Sequence, residues 1–141
     1  MCDGPGGELV WADALVRVVL VDEPNWPGFT RVILQQHAAE MTDLPAPERD
    51  SVMQRVWQVE SVQRALLGPD KINVASLGNM VPHVHWHVIP RWRDDACFPD
   101  PIWAPARRGD GQAGEGAARA RKALASYRDA LYEKLEKGTT T

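Results

Sequence analysis

His83-Val84-His85-Trp86-His87-Val88-Ile89-Pro90 places three of the chain's four histidines within five residues. Side chains on a β-strand alternate between faces, so positions 83, 85 and 87 share one face of an extended segment. Val84, Trp86 and Val88 then share the other, apolar face, which suits packing on a helix. A helical course would instead spread the three imidazoles over more than half of its circumference. The alternating Val-Trp-Val decides for a strand over residues 81–89, closed by Pro90.

Lys71 to Ala75 reads as a further strand, followed by a turn at Leu77-Gly78-Asn79. The segment before it is the clearest helix. Val52, Val56, Val59, Val62 and Leu66 recur at the spacing of one buried stripe, widened by Met53 and Trp57. Pro47 suits a first helical turn, Glu48 sits at the positive end of the dipole, and Gly68-Pro69 ends the run. The predicted helix covers 47–67. Residues 14–21, Ala-Leu-Val-Arg-Val-Val-Leu-Val, and residues Phe29 to Leu34 read as two strands of a hairpin with a long Pro/Gly loop. Leu124, Tyr127, Leu131 and Leu135 predict one C-terminal helix over 117–137, covering the sheet. The expected fold class is α+β, an antiparallel sheet with one long packed helix and a C-terminal helix. Residues 1–8 are expected to be a flexible N-terminus, 9–93 the main domain, and 94–116 a Pro/Gly-rich loop.

A chain of 141 residues fits one domain, and 44% hydrophobic with 25% charged residues is ordinary globular composition. That excludes a disordered chain, a collagen and a coiled coil. A net charge of −3 gives no basic field for nucleic acid. The aliphatic run Val18 to Val21 is far short of the ~20 residues of a membrane helix. Cys2 and Cys97 cannot build a disulfide framework, and no signal segment is visible, so a cytoplasmic protein with reduced thiols is expected. The six tryptophans read as core and interface anchors.

Three adjacent imidazoles in a core would leave too many polar atoms to satisfy. A metal site is the serious rival, because histidine is a common ligand. Neighbouring same-face positions lie ~6.6 Å apart, but 83 and 87 start ~13 Å apart, too far to converge on ~2.1 Å zinc bonds. One strand thus gives two ligands at most, and no Cys-x-x-Cys supplies the rest. Catalysis remains. A neutral imidazole is a nucleophile near pH 7 if its other nitrogen donates a hydrogen bond that fixes the tautomer. A neighbouring ring or a main-chain carbonyl can accept that bond, and the middle ring, His85, is flanked on both sides. Gly78, Asn79, Arg91 and Arg93 lie close by in sequence and suit phosphate.

His83-Val84-His85-Trp86-His87-Val88-Ile89 resembles the histidine triad motif, His-φ-His-φ-His-φ-φ with φ hydrophobic, at every position. The likeness extends from Pro27-Gly28 through His37 and from Asn73 through Gly78-Asn79 to Pro90-Arg91, over roughly residues 9–93. It is similar in particular to the bacterial branch labelled diadenosine tetraphosphate hydrolase-like. The resemblance implies a hydrolase or transferase acting at the α-phosphate of a nucleotide. His85 would become nucleotidylated, His87 would contact phosphate oxygens, and His83 would belong to the supporting network. Asn73, Asn79 and Asp22 would bind substrate, Asp22 through the ribose. The resemblance also implies a homodimer with a continuous sheet and no tightly bound cofactor, with any Mg²⁺ arriving on the substrate.

Two departures stand out. Relatives often carry Ser or Thr three residues before the first histidine to assist the leaving group, and here the residue is Met80. The Cys pair that holds structural zinc in some relatives is absent, so no metal site is expected, although His37 and His83 match its histidines. Blander readings stand beside each residue: strand-end or turn chemistry for Asn73, Asn79 and Asp22, a structural His37, and Arg91 and Arg93 solvated or paired with Asp94 and Asp95. Trp92 and Trp103 read as packing residues, or as the edge of a dimer mate's nucleotide site. The rivals to an enzyme are a nucleotide-binding regulatory module and a metalloprotein.

Overall fold

A computed structural model describes residues 4–109 and 113–139. Residues 1–3 of the expected flexible terminus, Cys2 among them, and 110–112 of the expected loop lie outside the described residues. The elements run β1 (Glu8–Ala12), β2 (Val16–Leu20), β3 (Thr30–Leu34), α1 (Ala46–Leu67), β4 (Lys71–Ala75), β5 (His85–Arg91), α2 (Glu115–Lys122) and α3 (Leu124–Lys137). The strands form one antiparallel sheet in the order β1-β2-β3-β5-β4. The architecture is the expected α+β class.

Cross-strand pairing sorts the side chains. Val18 pairs with Val32 and Val32 with Trp86, while Leu20 pairs with Thr30 and Thr30 with Val88. These rows point to one face. Val52, Val56 and Val59 of α1 and Tyr127, Leu131 and Leu135 of α3 join them in a single buried core. Burying such aliphatic and aromatic side chains contributes ~1.5–3 kcal/mol each. The opposite face is left for His85, His87 and their neighbours.

α1 starts at Ala46 behind Pro45 and stops at Gly68, whose φ of 58° suits glycine. Its buried stripe differs from the expected one. Leu66 and Trp57 are exposed, and Gln63 and Leu67 are buried instead. Gln63 holds a core position because its Nε2 donates to the carbonyls of Gly28 and Val88, both at 2.9 Å, tying α1 to β5.

β1 is a strand that the sequence reading missed. Its register on β2 shifts between Leu9 and Trp11, so Val10 and Trp11 are both buried and the period-2 pattern is lost. β5 also differs. It begins at His85 and runs on through Pro90, which pairs with Ile72 on β4 beyond the last residue paired with β3. A proline is tolerated there because the ladder is one-sided.

The single C-terminal helix is two. The break falls at Ala123, where φ is −91° and ψ 0°. Neither Pro nor Gly causes it; the two halves follow different surfaces. α3 packs along α1 and against β1. α2 is fixed over Trp92, and its first amide, Glu115 N–H, donates to Asp94 Oδ2 at 2.9 Å. Gly116 allows that approach, since a Cβ there would lie 2.4 Å from the indole. Gly116→Val should cost ~1–3 kcal/mol through overpacking and lower the melting temperature by several degrees, checked by thermal unfolding.

Candidate active site

β5 lies between β3 and β4 and turns His85 and His87 away from the helices. Ile33 and Arg31 of β3 stand opposite them, and Ala75 of β4 lies across from His87. His85 is buried, and its Nδ1–H donates to the main-chain carbonyl of His83 at 2.6 Å. That bond fixes the proton on Nδ1 and leaves the lone pair on Nε2. Ser76 Oγ–H donates to the His85 carbonyl at 2.8 Å and steadies the same residue from behind.

His87 meets His85 edge-on, with ring centroids 4.9 Å apart. Phe29 lies at 5.5 Å and Trp103 edge-on at 5.8 Å. Its Nδ1 accepts from Arg31 Nε at 3.3 Å. Burial is the main reason that both rings are held below the ordinary histidine pKa. For His87, helped by the charges of His85 and Arg31, it drops to about 4. For His85 the hydrogen bond to the His83 carbonyl opposes burial, and Arg31 and His83 act in the same direction as burial. Both rings are therefore neutral near pH 7.

His83 does not stand in the row. The expectation of three rings on one strand face is corrected: His83 precedes the strand, and its N–H bonds back to the Val81 carbonyl at 2.8 Å, bending the chain. Its ring turns aside, with Nε2–H donating to the Leu34 carbonyl at 2.6 Å and Nδ1 3.3 Å from His37 Nδ1. What it gives His85 is its carbonyl. Among the described residues no group of three or more His, Cys, Asp or Glu is placed to hold a metal ion.

The remaining expected site residues separate. Asn73 pairs with Ile89 and so shares the histidine face, but its Oδ1 accepts from Arg91 Nη1 at 2.7 Å. Asn79 is exposed in a bend after Gly78, whose φ is 72°. Gly78 lines a cavity of about 220 Å³ with Ser76, His83 and Trp86. Asp22 lies in a cleft of about 540 Å³ with Glu8, Glu23 and Arg121, and no histidine lines it. Met80 is 96% exposed. Arg91 is neither solvated nor open to a ligand: it is buried and paired with Asp95. Trp92 is buried, whereas Trp103 is half-exposed beside His87 of its own chain. Sequence reasoning missed Arg31. Its one signal is a lone charge in the apolar run Phe29 to Leu34, in register with the histidines.

The sheet and its His-x-His pair define a histidine triad protein. The HIT domain model matches residues 7–94, and the chain belongs to that family. It is 25% identical over 111 residues to a bis(5'-nucleosyl)-tetraphosphatase (asymmetrical) of Schizosaccharomyces pombe, covering 75% of this chain and 61% of that one. It is 31% identical over 98 residues to an AP-4-A phosphorylase of Mycobacterium tuberculosis, covering 65% of this chain and 50% of that one. The chain thus spans between half and about three-fifths of these curated relatives. Among solved structures, a histidine triad protein from Bradyrhizobium japonicum superimposes with a TM-score of 0.71 at 25% identity, covering 89% of this chain and 88% of that one. Among the described residues no helix is long and apolar enough to cross a membrane.

Proposed function

We propose that this chain is a nucleotide hydrolase or nucleotidyl transferase acting on dinucleoside polyphosphates through His85. The observation that carries the reading is the Nδ1–H bond to the His83 carbonyl, which leaves Nε2 as a fixed, neutral nucleophile. Nε2 attacks the α-phosphorus and forms a P–N bond. The P–O bond to the leaving nucleotide breaks, and that oxygen keeps the electron pair. Water then attacks phosphorus and gives up a proton to solvent, the P–N bond returns its electrons to Nε2 of His85, and a nucleoside monophosphate leaves. His87 donates to a phosphate oxygen. A polyphosphate departs as a stable anion without a proton, which fits Met80 in place of a hydroxyl donor; an amine leaving group needs that proton. The names of both curated relatives support this substrate class. The reading includes cytoplasmic action, no resident cofactor or metal, no nucleic-acid or membrane partner, and a homodimer with a continuous sheet, for which the order leaves β1 and β4 as edge strands. Asn73, Asn79 and Asp22 complete it as substrate contacts.

The test is incubation of purified protein with a dinucleoside tetraphosphate, with and without inorganic phosphate. Release of monophosphate supports hydrolysis, and diphosphate formed only with added phosphate supports transfer to phosphate. Rapid acid quench should trap label on His85. Nucleotide binding with neither turnover nor label would instead support the regulatory module.

The pH dependence follows from the lowered histidine pKa values. The nucleophile must be unprotonated, and a lowered pKa keeps it so to lower pH. The acidic limb of the kcat/KM profile should be centred below the ordinary histidine pKa. Dinucleoside polyphosphates carry no terminal phosphate that titrates in this window. A limb centred at or above pH 6.5 would contradict the geometry.

A further inference from the structure

We infer that Arg31 is a positioning residue that fixes His87 with its single proton on Nε2, as the donor to phosphate. The inference deepens the proposed reaction and rests on it for the identity of the ligand. A guanidinium keeps its protons and has no acceptor atom. The 3.3 Å contact of Arg31 Nε with His87 Nδ1 therefore makes Nδ1 the acceptor. A neutral ring in that position carries its proton on Nε2.

The fork is held for this task. Arg31 Nη1 donates to the Gly6 carbonyl at 3.0 Å, and the guanidinium lies 5.3 Å from the Phe29 ring centroid. The strand register fixes the pairing, since Arg31 stands directly across from His87. Among the described residues no other group competes. Among the described residues the charged or titratable groups facing His87 are His85 on its own strand and Arg31 on β3. β4 offers Ala75, and Phe29 and Trp103 bring only aromatic edges. Among the described residues no carboxylate pairs with Arg31, and burial lowers its pKa. A half-buried cation with no counter-ion among the described residues suits a face that receives an anion.

The two histidines thus take opposite tautomers from opposite partners. A carbonyl acceptor sets His85 as Nδ1–H with a nucleophilic Nε2. A guanidinium donor sets His87 as Nε2–H. One motif supplies a nucleophile and a proton donor side by side, and Arg31 makes the difference between them.

The experiment is long-range ¹H–¹⁵N NMR of the imidazoles in ligand-free, full-length protein at neutral pH. Wild type should show His85 as Nδ1–H and His87 as Nε2–H. Arg31→Gln should give a mixture of tautomers at His87 while His85 stays unchanged, an internal control for an intact site. Arg31→Lys keeps the charge without the planar fork and should give a smaller change. An Nδ1–H tautomer for His87 in wild type, which needs no variant to fold, overturns the inference, as does an unchanged His87 spectrum in Arg31→Gln. The measurement reads no turnover, so an inactive protein would refute the proposed reaction and leave this result standing. In an active protein, Arg31→Gln should lose at least about tenfold in kcat/KM for a dinucleoside polyphosphate, with part regained in Arg31→Lys.

Discussion

His85→Ala should lower kcat/KM for a dinucleoside polyphosphate by at least about three orders of magnitude, a loss of ~4 kcal/mol in transition-state stabilisation. The ring is the group whose Nε2 is left unprotonated by a hydrogen bond on the far nitrogen. Its neighbours cannot substitute. His87 has its lone pair engaged by Arg31, and the His83 ring is turned toward Leu34. The three histidines should therefore rank unequally. His87→Ala removes a donor and should cost less than loss of the nucleophile. His83→Ala keeps the carbonyl that orients His85 and should be the mildest, although its ring supports the Leu34 and His37 segment. Steady-state kinetics on the three variants, each with a thermal melt matching wild type, check the order. An active His85→Ala would remove the covalent route, and an inactive His83→Ala beside a half-active His85→Ala would move the chemistry to another residue.

The alternating histidines were legible because β-periodicity is a local property: Trp86 and Val88 could only be reconciled with His85 and His87 on an extended chain. α1 was legible for the same reason at period 3.6. What failed depends on distant packing. β1 is hidden by a bulge that puts Val10 and Trp11 in the core together. Gln63 gives no apolar signal, yet it occupies a core position because two carbonyls from elsewhere await its amide. His83 belongs to the motif by sequence and leaves the face by a bend. Arg31 gains its meaning only from a cross-strand register that joins residues 56 positions apart. Asp22 lines the cleft that Arg121 helps to form, a neighbour 99 positions away that no local pattern announces.

Asp95→Ala should be the most damaging substitution for stability, at ~3–5 kcal/mol, a large share of the ~5–15 kcal/mol typical of a domain. The carboxylate is fully buried. It accepts from Arg91 Nε at 2.8 Å and Nη2 at 3.0 Å, and from the main-chain N–H groups of Trp92, Cys97 and Phe98. Its removal strands a buried guanidinium and three amides at once. Arg91→Met should cost less, because the carboxylate keeps the three amide donors. The same network holds Asn73 and the Asp100 carbonyl through Arg91, so it ties the end of β5 to the loop that carries Trp103 against His87. The pH dependence has a definite sign. Hydrogen bonds from Arg91, Cys97 and Phe98 outweigh burial and depress the Asp95 pKa. The folded state then binds its proton more weakly than the unfolded chain does. The stabilisation is complete above the ordinary carboxylate pKa and is lost as pH falls through the lower, folded value. Urea titrations of wild type and Asp95→Ala at pH 7 and at successively more acidic pH should show the gap between them narrowing only at and below the ordinary carboxylate range. A variant within 1 kcal/mol of wild type at pH 7, or a gap independent of pH, would show that β5 and the loop are held together by apolar packing of Trp92 and Cys97, with the ion pair as a passenger.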